Sequence, residues 1–153
     1  MAELVLLVAS LNSRYAAVID ADRLEEWPDF FVEQCLYKIT SADNLRDGHP
    51  AGIVYADSRA MLADRVLALR KANIYERQRY RHITAMPVIL DETGGEIRTE
   101  TPFVVIRTMR DGRMDLFATG VYQDRIDREK LRFRERVVVC DSSRFDTLVA
   151  IPL

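Results

Sequence analysis

Metal-ligating side chains are scarce in this sequence: its 153 residues include two histidines and two cysteines. Cys35 and Cys140 lie far apart, and neither belongs to a CxxC or Cys/His pair of ligand spacing, so both read as small core residues of a reducing compartment. His49 sits in a polar loop and His82 at the entry to a strand, with no helical pairing between them. The two do not make a two-His-one-carboxylate iron site on this chain alone. Long apolar runs are also missing, since Leu4 to Ala9 is too short to span a bilayer and follows Glu3 where a signal peptide carries Lys or Arg. There is no excess of positive charge: 22 Lys and Arg stand against 24 Asp and Glu, which excludes polyanion binding by the chain as a whole. GxSxG, HExxH and GxGxxG are absent, so nucleophilic, zinc and dinucleotide chemistry have no motif to rest on. The expectation is a cytoplasmic protein with no membrane and no nucleic-acid partner.

What is present is a core. With 48% hydrophobic and 30% charged residues, positions 1–153 are expected to form one globular domain. Leu4, Leu7, Val8, Leu11, Tyr15, Val18 and Ile19 recur at steps of three and four and predict a helix over 3–22, with Asn12, Ser13 and Asp20 off its apolar face. Val5, Leu6 and Ala9 make its first turns apolar all round, so one side is expected to meet the core and the other a second subunit. Trp27-Pro28 predicts a short helix ending near Gln34. Residues 35–40 alternate as a strand, and 43–50 gather the Asp, Asn, Gly and Pro of a loop. Asp57 or Ser58 can cap a helix that presents Met61, Leu62, Val66 and Leu69.

Beyond that helix the period changes. Residues 83–91, 97–110, 114–123 and 131–140 read as strands separated by Thr93-Gly94-Gly95, Asp111-Gly112 and 127–130. Helices first and a strand meander afterwards define an α+β fold, a curved antiparallel sheet wrapped around N-terminal helices as a half-open cone. Gly120 falls mid-strand, where a bulge or kink would help the sheet curl.

Two basic groups call for a use. Arg77, Arg79, Tyr80, Arg81 and His82 join the helix to the first long strand. In the last strand a two-residue period places Arg132, Arg134 and Arg136 on one face, opposite Leu131, Phe133, Val137 and Val139. These arginines are either a solvated face with cross-strand ion pairs or a subunit interface that supplies carboxylates. Single-stranded nucleic acid would also use basic and aromatic residues together, but no RNP-type pattern or phosphate loop accompanies them. An enzymatic reading draws on the interior of the cone, where Tyr15, Asp20, Tyr37, His82 or Asp115 could be recruited as an acid-base pair by a freestanding isomerase or dehydratase.

The order Trp27-Pro28-Asp29-Phe30-Phe31, Cys35-Leu36-Tyr37, Asp57 to Leu62, Asn73 to Arg77 and Arg79 to His82 resembles the small (β) subunits of aromatic-ring-hydroxylating, Rieske non-haem iron dioxygenases. Thr101 to Val105, Leu116 to Gly120, Glu135 to Ser142 and Asp146 to Leu153 extend the resemblance over essentially the whole chain. It implies a cystatin-like or NTF2-like cone that carries no cofactor and no catalytic residue. It further implies a large α subunit with a Rieske [2Fe-2S] cluster and a mononuclear non-haem Fe(II), and a reductase delivering electrons from NAD(P)H. A Rieske cluster takes two Cys and two His, and the mononuclear site two more His and a carboxylate, beyond what this chain holds. The implied role is assembly of an α3β3 hexamer on a β trimer, with the eight basic-group residues at subunit contacts. The implied substrate is an aromatic carboxylate, terephthalate first, with salicylate and anthranilate as alternatives.

Overall fold

The structure is a computed structural model that describes residues 1–48, 54–72, 78–142 and 151–153. His49, Asn73 to Arg77 and Asp146 to Ala150, singled out above, lie outside the described residues.

Helix α1 (Ala2–Asp20) buries Leu4, Val8, Leu11, Tyr15 and Ile19, one face of a 3.6-residue period. Leu6 stays exposed on the opposite side. The helix is long and apolar enough to cross a membrane by length and composition, but this buried face packs in the protein core. Asn12 departs from the expected pattern. It is buried, because the sheet offers it polar partners described below.

A 3₁₀ helix (Leu24–Phe30) follows, starting earlier and ending sooner than its sequence predicts. Trp27 and Phe31 meet edge to face with ring centroids 5.8 Å apart, and that packing carries the chain straight into strand β1 (Phe31–Ser41). The Ser41 Oγ then accepts the backbone N–H of Asn44 and caps α2 (Ala42–Arg46), where the sequence reads as loop. Strand β2 (Val54–Ala56) precedes α3 (Arg59–Ala72), and Ser58 is the cap, its Oγ accepting the Met61 N–H at 3.2 Å. Leu62 and Val66 are buried on α3, whereas Met61 is exposed.

Next come β3 (Gln78–Thr84), β4 (Val88–Thr93), β5 (Glu96–Met109), β6 (Met114–Asp127) and β7 (Arg132–Cys140). The expected strand over 83–91 is thus two strands, broken at Ala85 to Pro87, and Arg79 to His82 of the basic cluster lie within β3 instead of before it. Gly94 and Gly95 both take positive φ (+61° and +77°), the condition for a two-residue hairpin turn whose twist suits its strands.

The sheet runs β2-β1-β7-β6-β5-β3, with β4 also on β5. Short turns make β4-β5, β5-β6 and β6-β7 antiparallel, but β1 lies parallel to β7. Most of the chain connects those two strands, so no tight turn dictates their direction. The sheet is therefore mixed. Gly120 lies in regular pairing with Phe103 and Cys140. A Cβ there would collide with the Val139 carbonyl, so close approach of β7, not a bulge, explains the glycine.

Candidate functional site

The residues nominated by sequence separate into an inner and an outer set, and a bulge draws the line. Along β6, Arg125 pairs with Glu135 and the next residue, Ile126, pairs with Phe133, which leaves Arg134 as an extra residue on β7. One added residue reverses the alternation. Phe133 and Arg136 both point inward, so the expected single face of Arg132, Arg134 and Arg136 does not exist.

Inside the cone, Arg136 has no solvent exposure. Its Nε and Nη2 donate to the two carboxylate oxygens of Asp124 at 2.8 and 2.7 Å, and Nη2 also donates to Asn12 Oδ1. Asn12 in turn donates to Thr101 Oγ1 at 3.2 Å. The guanidinium carbon lies 3.9 Å from the Tyr122 ring centroid, 4.0 Å from Phe133 and 4.4 Å from Tyr15. Burial pushes the Asp124 carboxyl above its ordinary range, with Arg136 pulling the other way. For Arg136, burial lowers the affinity for its proton but Asp124 more than restores it, and the group is held firmly cationic. A fork-to-fork pair ringed by aromatics fills the space where an acid-base pair would have to sit.

The other inner candidates are committed in the same way. The Tyr15 hydroxyl donates to the Leu153 carbonyl at 2.8 Å and accepts the Trp27 indole N–H at 3.1 Å. The Tyr37 hydroxyl donates to the same carbonyl at 3.0 Å and accepts the Leu153 N–H. Burial raises both phenols above their ordinary range. Asp20, at the end of α1, accepts the backbone N–H of His82 at 2.9 Å and lies 2.7 Å from His82 Nδ1. The carboxylate places the proton on Nδ1, and the imidazole is fully buried. Asp115 is held by buried Arg107 through contacts of 3.1 and 2.8 Å. Of the five, Tyr15 and Tyr37 converge on the Leu153 carbonyl, and Asp20 and His82 bind each other directly. The latter pair latches α1 to β3 away from solvent.

The outer set is different. Arg79, Arg81 and Arg132 are exposed and have no ion-pair partner among the described residues. Arg134 is half-exposed and already bound to Glu96 at 3.1 Å and Asp127 at 2.9 Å. Tyr80, His82 and Arg136 are buried within this chain, which removes their side chains from the expected interface. Inward phase on β3 accounts for the first two, and the β7 bulge for the third. Sequence reading missed Asp124, Asn12 and Arg107. For Asp124 the signal was available: it continues the alternation of Tyr122 and Ile126, and a carboxylate on an apolar phase demands a buried cation.

Among the described residues no group of three His, Cys, Asp or Glu is arranged to hold a metal ion. Burial pushes the Cys140 thiol up to about 12 and raises Cys35, which opposes the thiolate a cluster ligand requires. The donors among the described residues do not fit a Rieske or mononuclear iron centre.

An α+β cone with the buried Arg136–Asp124 pair inside, and outside it cations without ion-pair partners among the described residues, presents a charged outer surface of the kind that subunit contacts use. The chain belongs to the ring-hydroxylating dioxygenase β-subunit family, whose model matches residues 14–147. It is 49% identical over 149 residues to the β 1 subunit of the terminal oxygenase component of terephthalate 1,2-dioxygenase from Comamonas sp, covering 95% of this chain and 96% of that protein. It is 42% identical to the anthranilate 1,2-dioxygenase small subunit of Burkholderia cepacia, covering 94% and 90%. Among solved structures, a β subunit from Novosphingobium aromaticivorans, described as that of an aromatic-ring-hydroxylating dioxygenase, superposes with a TM-score of 0.88 at 38% identity, covering 95% and 94%. The protein is accordingly the small subunit of a multicomponent aromatic-ring dioxygenase, an oxidoreductase component that pairs with a large subunit.

Proposed function

We propose that this chain assembles a cytoplasmic α3β3 Rieske oxygenase that converts terephthalate to a cis-dihydrodiol. The near full-length identity to a terephthalate dioxygenase subunit carries this reading, because it exceeds the 42% shared with the anthranilate system. In this reading the large subunit holds the [2Fe-2S] cluster and the mononuclear iron, which supply the oxygen chemistry when bound, and a reductase relays electrons from NAD(P)H. This chain contributes shape and position. Three copies form the trimeric base, and the exposed Arg79 and Arg81 on β3 meet carboxylates of neighbouring subunits.

Co-expression with the large subunit tests both halves of the proposal. The wild-type pair should elute at the mass of a hexamer and turn over terephthalate in preference to anthranilate or salicylate. Arg79→Glu with Arg81→Glu should release the large subunit or dissociate the trimer in gel filtration. A full-mass, fully active hexamer from that variant would reject the assigned contact, and preferred turnover of anthranilate would reject the substrate.

A further inference from the structure

We propose that two adjoining clefts beside the β6–β7 turn seat an acidic segment of the large subunit that carries an apolar anchor. The inference rests on the reading of this chain as a partner of that subunit. The first cleft, of about 390 Å3, has a floor of Leu11, Val18, Phe30 and Leu131 and is rimmed by Arg14, Lys130 and Arg132. The second, of about 500 Å3, opens on the other side of Lys130 and Arg132 toward Arg59 and Arg134. Lys130 and Arg132 line both clefts, so the pair forms a trough divided by these two cations.

Charge accounting identifies what the trough lacks. Arg134 is held by Glu96 and Asp127, Arg59 by Glu33 at 3.4 Å, and Arg23 answers Glu26 at 3.3 Å. The remaining oxygen of Asp127 accepts the backbone N–H groups of Glu129 and Lys130 at 3.1 and 2.8 Å, so that carboxylate is fully engaged in building the turn. Arg14, Lys130 and Arg132 have no ion-pair partner among the described residues, and Asp29 is the single carboxylate on the rim not engaged elsewhere. Leu131 is held at a φ of +51°, a conformation unusual for a branched side chain, and it completes the apolar floor directly beneath these cations. An occupant that satisfies this surface brings two or three carboxylates and one apolar side chain. A small aromatic carboxylate is the poorer fit, because a single carboxylate cannot answer Arg14, Lys130 and Arg132 together, even with Asp29 beside them.

The test compares the wild-type complex with Arg14→Glu/Lys130→Glu/Arg132→Glu and with the corresponding triple Gln variant, using purified large and small subunits. The Glu variant should raise the dissociation constant about tenfold or more and the Gln variant less, and the salt dependence of binding should shrink in both. Thermal melts of the free variants should match the wild type, since none of the three has an ion-pair partner among the described residues. An unchanged dissociation constant in both variants overturns the proposal while leaving the family role intact. Failure of the wild-type pair to associate overturns both. Terephthalate binding to the free small subunit that is lost in the variants, with complex formation unchanged, overturns it in favour of a small-anion site.

Discussion

Strands β6 and β7, joined on the outside by Glu96 at the start of β5, carry two arginine-carboxylate clusters of nearly identical chemistry and opposite physical standing. The inner one joins Arg136 to Asp124, with both side chains at 0% exposure. The outer one joins Arg125 and Arg134 to Glu96 and Asp127, with the arginines 53% and 38% exposed. A single bulged residue separates them. The inner pair sits in a ring of aromatics where water cannot replace either partner, so loss of one leaves a bare charge in the core. The outer pairs exchange with solvent and are individually weak. One cluster specifies how the cone closes, and the other leaves the surface free for partners.

The largest expected effect breaks the inner cluster. Arg136→Met should destabilise the chain by about 3–5 kcal/mol in urea unfolding, because Asp124 is then buried without a cation. Asp124→Leu combined with Arg136→Met should recover most of that loss, which separates the cost of a broken pair from the worth of an intact one. Next in size is Gly120→Ala, where the added methyl meets the Val139 carbonyl and should cost about 1–3 kcal/mol in the same assay. It probes the β6–β7 contact on which both clusters depend.

The smallest effect sharpens the outer side. The backbone N–H of Lys130 and the Arg134 guanidinium hold Asp127 below the usual carboxylate range. For Glu96, partial burial acts upward, but hydrogen bonds from Arg125 and Arg134 outweigh it and the net shift is downward. Folded values below unfolded ones mean that these groups stabilise the protein above the ordinary carboxylate pKa of about 4 and lose that contribution as pH falls through the folded values. Thermal melts should therefore be flat near neutrality and drop below about pH 4. A stability that rises on acidification would contradict the assignment.

How much of this was legible beforehand can be followed residue by residue. Strands β5, β6 and β7 were readable from alternation and from Gly94-Gly95 and Asp111-Gly112, because turn chemistry is local. The early start of β3 was not, since Gln78 to His82 are mostly polar and acquire strand geometry by pairing with Val105 to Met109 of β5. Sequence reading ended β6 at Gln123, one residue before the carboxylate that answers Arg136. Of the residues expected at subunit contacts, Arg79, Arg81 and Arg132 are exposed, while the fold holds Tyr80, His82 and Arg136 inside.

Composition, period and motif order determined the α+β cone, the scarcity of metal ligands and the family, since each depends on residue type along the chain. The bulge at Arg134, the parallel seating of β1 on β7 and the burial of Arg136 against Asp124 were decided by tertiary structure alone. Strand direction and side-chain facing at those points are fixed by partners on other strands, and no local pattern encodes an energy that arises only when both are present.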